Sequence, residues 1–158
     1  MGNKVDIDWR RDLQGPPSAV PGLHWHGYLW IGQGGLLESY KTQAQRNPGS
    51  AEFNASDLPP EMTRHYLLKL RRLAGTFTTP EQAAAWMRAQ WDAHQPTATH
   101  RDPDNRQQYA EVTLSHQQDD VWSWWHPAPG SVTKVHVSVI CCPNRIDDVP
   151  CPQPPSLT

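Results

Sequence analysis

Residues 23–31 read Leu-His-Trp-His-Gly-Tyr-Leu-Trp-Ile, and they constrain the fold more than any other stretch. Aromatic and branched side chains in this density favour extended backbone. The period of two in a strand then divides the segment into two faces. Leu23, Trp25, Leu29 and Ile31 share one face; His24, His26, Tyr28 and Trp30 share the other. Two imidazoles two residues apart on one face can hold one divalent ion, because neutral imidazole is the commonest protein metal ligand. His24 and His26 are therefore candidate metal ligands.

The rest of the chain alternates helix and strand signals around Pro-rich ends. Residues 1–21 end in Pro-Pro-Ser-Ala-Val-Pro-containing sequence and read as an irregular arm. Residues 36–57 carry Asn-Pro-Gly-Ser and Asn-Ala-Ser-Asp, which are loop signals. Pro59-Pro60-Glu61 opens a predicted helix over 59–74, with Met62, Tyr66, Leu70 and Leu73 on one stripe. A second helix is predicted over 80–94. There Thr79 caps, Pro80 takes the first position, Gln82 completes a capping box, and Ala83, Met87 and Trp91 form the apolar line. After a polar loop over 95–107, three strands are predicted at 109–116, 120–126 and 131–141, joined as a meander. The tail, 143–158, is Pro-rich and extended.

This order predicts one domain of the α+β class. Its sheet is mostly antiparallel, built from one N-terminal strand and a C-terminal three-stranded meander, with two helices packed on one face. A chain of 158 residues is long enough to bury a core without disulfides. The formal charge of −2 gives no global attraction to nucleic acid or anionic membrane. The N-terminal residues lack the apolar stretch of a secretory signal, and no apolar run approaches a membrane span, so a cytoplasmic protein is expected. The three cysteines, Cys141, Cys142 and Cys151, are an odd set and are expected to be free thiols. Adjacent Cys141 and Cys142 point to opposite faces of a strand, which is poor geometry for one ion. The expectation is that the thiols are not needed for metal and that no cofactor is bound.

Two motifs carry chemistry. The strand triplet His24-Trp25-His26 is followed by Tyr66-Leu-Leu-Lys69 on the next predicted helix. This pair of motifs resembles HUH endonucleases, the nickases of rolling-circle replication and transposition. The resemblance implies that His24 and His26 hold Mn²⁺ or Mg²⁺, that Tyr66 attacks phosphorus in single-stranded DNA, and that Lys69 orients or neutralises the phosphate. His136-Val-Ser-Val139 has the form of one half of the duplicated motif of 2H phosphoesterases, which needs a second copy that this chain lacks.

The other motif is Trp122-Ser-Trp124-Trp125-His126. Eight tryptophans are many for this length, and a large amphipathic ring contributes most when buried or at an interface. Trp122 and Trp124 share a strand face; Trp125 takes the other. The leading expectation is a binding or assembly protein, such as a virion or secretion-complex component or an immunity-type inhibitor. It would act on a protein partner or a second copy through Trp122, Trp124 and Trp125. The nickase is the alternative.

Overall fold

The computed structural model describes residues 15–96, 102–128 and 131–155. The expectations that concern residues 1–14, 97–101, 129–130 and 156–158 lie outside the described residues. Four strands make one antiparallel sheet: β1 (His24–Gln33), β2 (Leu73–Phe77), β3 (Asp120–Ala128) and β4 (Ser131–Cys142). The order across the sheet is β2-β1-β4-β3. The helices are two short ones, α1 (Gln43–Arg46) and α2 (Ala51–Ala55), and two long ones, α3 (Pro80–Ala93) and α4 (Pro103–Ser115). The α+β class and the antiparallel sheet are as the sequence predicts. None of the described helices is long and apolar enough to cross a membrane.

β1 adds to the free β4 edge of the β3–β4 hairpin, with β2 on its other side. It lies inside the sheet, paired with β4 along its whole length, from His24 opposite Cys142 to Gln33 opposite Thr133. Directly opposed residues in an antiparallel pair point to the same face. This register therefore fixes which residues from the two ends of the chain meet.

The two faces of β1 go where the period predicts. Trp25 joins a core with Trp122, Trp124, Val135, Val137, Val139 and Cys141 from the sheet. Ala83, Ala84, Met87 and Trp91 of α3 and Ala110 and Leu114 of α4 close it. The Trp25 indole donates to the Leu114 carbonyl at 3.1 Å, so its one polar atom is satisfied inside the core. Gly27 is small for a reason: a Cβ there would sit 2.8 Å from the Trp86 ring. On the opposite face Tyr28 packs with Tyr66, Leu67 and Ile140, and Val149 of the tail lies against them.

Helix α3 matches its prediction. The Thr79 hydroxyl accepts from the Gln82 amide at 3.2 Å, and the Gln82 side chain reaches back to the Thr78 amide. Three other elements differ from the sequence reading. Residues 59–74 are not an α-helix. They form two 3-10 turns, Thr63–Leu68 and Leu70–Arg72, broken at Lys69 (φ −114°, ψ 66°). The supposed stripe does not bury as one: Met62 and Leu70 are half exposed, while the adjacent pair Tyr66 and Leu67 is buried. Tertiary packing overrides the local helix preference, because adjacent residues can both reach a sheet only if the backbone turns tightly. Leu73 then begins β2, which pairs with β1.

Residues 109–116 are not a strand. They belong to α4, which starts at Pro103 and is capped by the Asp102 carboxylate accepting from the Asp104 amide at 3.0 Å. Asp followed by Pro is itself a helix-start signal. The β-branched Val112 and Thr113 obscure the helical spacing of the buried Ala110, Thr113 and Leu114. The meander is thus reduced to the β3–β4 hairpin.

The third correction concerns tryptophan. Trp122 and Trp124 face the helix-side core of the chain itself. They are 1% and 7% exposed, packed edge-to-face and tilted against Trp91 beneath α3. Their ring N–H groups donate to the Asp120 carboxylate and the His94 carbonyl. Of the three, Trp125 alone is exposed, at 43%, with the Lys134 ammonium over its ring.

Candidate metal centre

The end of the sheet where β1 begins and β4 finishes holds four metal-ligating side chains. His24, His26, Cys142 and Cys151 each offer one donor atom, and the four atoms lie within 4.8 Å of one another. The register explains the first three. His24 and His26 share a strand face, and Cys142, opposite His24 on β4, points the same way. Cys141 points the other way into the helix-side core, opposite Trp25. The sequence reading of the vicinal pair was right about its faces. Its conclusion, that the thiols are poorly placed for an ion, missed that one of the pair meets a second thiol from the tail.

Several bonds guide the tail back to the sheet. The Asn144 amide donates to both oxygens of half-buried Asp119 at 3.1 Å, and Gln117 donates to the Pro143 carbonyl at 2.9 Å. Arg64 pairs with Asp147. Val149 packs beside Tyr28 and Tyr66. With these anchors in place, Cys151 arrives beside the histidines and reaches solvent.

The distances have the scale of a coordination sphere. The two Nε2 atoms are 3.1 Å apart. The Cys151 sulfur is 3.2 Å from His24 Nε2 and 3.5 Å from His26 Nε2. A tetrahedral zinc ion with ordinary bond lengths separates two nitrogens by about 3.3 Å and nitrogen from sulfur by about 3.6 Å. The rings are also oriented from behind. His24 Nδ1 donates to the Gly22 carbonyl at 2.7 Å, and Nε2 is the ring atom turned toward His26 and Cys151. His26 Nδ1 is 3.0 Å from the Thr76 hydroxyl on β2. Such outer partners fix the tautomer and ring direction of metal-binding histidines.

The electrostatics also suit a cation. Burial, and then the neighbouring His24, lower the His26 pKa to about 4, which keeps the imidazole neutral at pH 7. Burial and the adjacent Cys151 push the Cys142 thiol up to about 12. A buried thiolate there requires a positive charge beside it, and a bound divalent ion supplies one. Burial first, and then the nearby Cys142 and Cys151, raise the pKa of Tyr28, whose hydroxyl lacks a hydrogen-bond partner among the described residues.

The other residues singled out from the sequence are placed elsewhere. Tyr66 is 1% exposed, stacked on Tyr28 with ring centroids 4.5 Å apart. Burial raises its pKa far above the ordinary phenol range. A nicking tyrosine needs a hydroxyl open to a DNA phosphate, and this one is closed. Lys69 donates from Nζ to the Phe53 and Ser56 carbonyls, both at 2.8 Å, and lies over the Phe53 ring. It ties α2 to the 3-10 turns and has no place at the histidines. His136 stands opposite Trp30 toward the far end of β1, with Nδ1 3.2 Å from the Ser138 hydroxyl.

The role of Tyr66 can be measured. Its buried hydroxyl lacks a hydrogen-bond partner among the described residues. Replacing an unpaired buried hydroxyl by hydrogen removes a desolvation cost of about 1–3 kcal/mol. Tyr66→Phe is expected to leave stability unchanged or to raise it by about 1 kcal/mol in urea denaturation. A loss of more than that would show that the hydroxyl works in the folded protein.

Comparison with known proteins finds no matching family model, no matching curated protein and no matching solved structure.

Proposed function

We propose that this chain is a metal-binding protein in which His24, His26, Cys142 and Cys151 hold one zinc ion. The observation that carries the reading is the convergence of two imidazoles and two thiols, from opposite ends of the chain, with all four donor atoms within 4.8 Å of one another. The donor set argues against Mn²⁺ and Mg²⁺, which prefer oxygen, and for zinc, which binds mixed nitrogen and sulfur tetrahedrally. Four protein ligands fill such a sphere and leave no position for substrate, so the role is structural. The ion joins the start of β1, the end of β4 and the returning tail, and it neutralises the Cys142 thiolate that burial otherwise disfavours.

Around that centre the domain serves as a binding or assembly module, with a protein partner. The support is Trp125, exposed at 43% on the sheet face turned away from Trp122 and Trp124, with Leu36, 38% exposed, in the 3-10 turn that follows β1. On this reading the contact surface is the Trp125 side of β3, opposite Trp122 and Trp124.

The test of the metal reading is elemental analysis of the full chain purified without chelator or metal-affinity resin. The expected result is about one zinc per chain for the wild type and almost none for the double variant His24→Ala, Cys151→Ala. Absence of zinc from the wild type after incubation with the ion and desalting, or equal loading of the two proteins, would overturn it.

A further inference from the structure

We infer that the zinc centre is gated by oxidation: a peroxide joins Cys142 to Cys151 and expels the ion. This rests on the zinc reading above and names the regulation of that site. Three observations lead to it. The two sulfurs lie within 4.8 Å of each other, so modest side-chain rotation brings them to the disulfide length of about 2.05 Å. Their surroundings differ, because Cys151 reaches solvent while Cys142 is 2% exposed. Cys151 also sits on a C-terminal segment that lies outside the sheet, free of the strand ladder that fixes Cys142.

The chemistry follows from that asymmetry. Zinc takes cysteine sulfur as thiolate, which is the nucleophilic form. The accessible Cys151 thiolate attacks one oxygen of hydrogen peroxide, the O–O bond breaks, and hydroxide leaves, giving a sulfenic acid. The Cys142 thiolate attacks that sulfur and displaces a second hydroxide, forming the S–S bond. Two thiolates lose two electrons in all, peroxide is reduced to two hydroxides, and two protons from solvent turn these to water. The disulfide sulfurs no longer carry charge for the ion. His24 and His26 alone make a two-ligand site, and zinc departs. The tail stays in place, since the disulfide replaces the crosslink that the metal made.

Cys141 provides an internal control. It is the sequence neighbour of Cys142, yet it is 0% exposed and lies in the core beneath α3 and α4. It takes no part.

The experiment treats the zinc-loaded full chain with stoichiometric hydrogen peroxide while a chromogenic chelator reports free zinc. The expected result is release of about one zinc per chain together with loss of two of the three thiols. Intact mass falls by about 2 Da, as one disulfide requires. Peptide mapping joins Cys142 to Cys151, dithiothreitol with added zinc restores the loaded form, and Cys141→Ala behaves as the wild type. Zinc retained after the thiols are consumed, a Cys141–Cys142 crosslink, or a sulfinic acid on Cys151 without crosslinking would each overturn the inference. The two readings fail separately. A chain that binds no zinc defeats the metal reading, and peroxide treatment of that metal-free chain still tests whether Cys142 and Cys151 pair. A zinc-bound chain whose ion survives peroxide defeats only the gate.

Discussion

Withdrawal of zinc by a strong chelator is expected to lower the unfolding midpoint of the full chain by about 10 °C. An ion bound only by the folded state stabilises it in proportion to the logarithm of its concentration over its dissociation constant, about 4 kcal/mol at a thousandfold excess. For a chain of this size each kcal/mol moves the midpoint by about 2–4 °C. The helix-side core does not depend on the ion, so the metal-free chain should still fold, and re-addition of zinc should restore the midpoint. Cys151→Ser sharpens the test, because the site is near the surface and the change is small. The variant should melt with the metal-free wild type and gain little from added zinc. Its zinc affinity should fall by at least about 100-fold, more than the loss typical of an outer-sphere partner. A variant that gains as much from zinc as the wild type would remove Cys151 from the ligand set.

The second large effect is at Trp122. It is 1% exposed, meets Trp91 edge-to-face, and stands opposite Val137 in the ladder. Truncating a buried tryptophan leaves a cavity and typically costs about 3–5 kcal/mol. Trp122→Ala is therefore expected to lower stability by that amount in denaturant titration, a large part of a typical domain's margin. Trp125→Ala should cost less than about 1 kcal/mol, because its ring is half in solvent and its Lys134 contact is a surface one. Reversal of that order would mean that the face of β3 has been misassigned.

Period-two and capping patterns carried much of the fold. The split of β1 into a Trp25 face and a His24–His26 face is visible in the residues, and so is the Thr79-Pro80-Glu81-Gln82 start of α3. Elsewhere local patterns were overruled or misread. The stripe from Met62 to Leu73 has helical spacing, but Tyr66 must stack on Tyr28 and Lys69 must turn back to Phe53 and Ser56. The Asp102-Pro103 cap of α4 was legible and was outweighed by the β-branched residues that follow. The tryptophan faces were divided correctly, but the alternation cannot say which face the helices cover.

The metal centre was half legible. The two histidines stand out by spacing alone. Their thiol partners do not, because the pairing of His24 with Cys142 is a matter of register between strands at opposite ends of the chain. Cys151 comes from an extended tail whose path depends on Asp119, Asn144 and Val149. Nothing in a local window encodes that path. A count of three cysteines and eight histidines does not say which of them meet.

X-ray absorption at the zinc edge of the loaded, reduced full chain tests the central claim most directly. The account predicts a first shell of two nitrogens at about 2.0–2.1 Å and two sulfurs at about 2.3 Å, with the outer-ring scattering of two imidazoles. Cys151→Ser should replace one sulfur by a lighter atom and leave both imidazoles. A shell of oxygen and nitrogen without sulfur, or one with sulfur but no imidazole scattering, would contradict it.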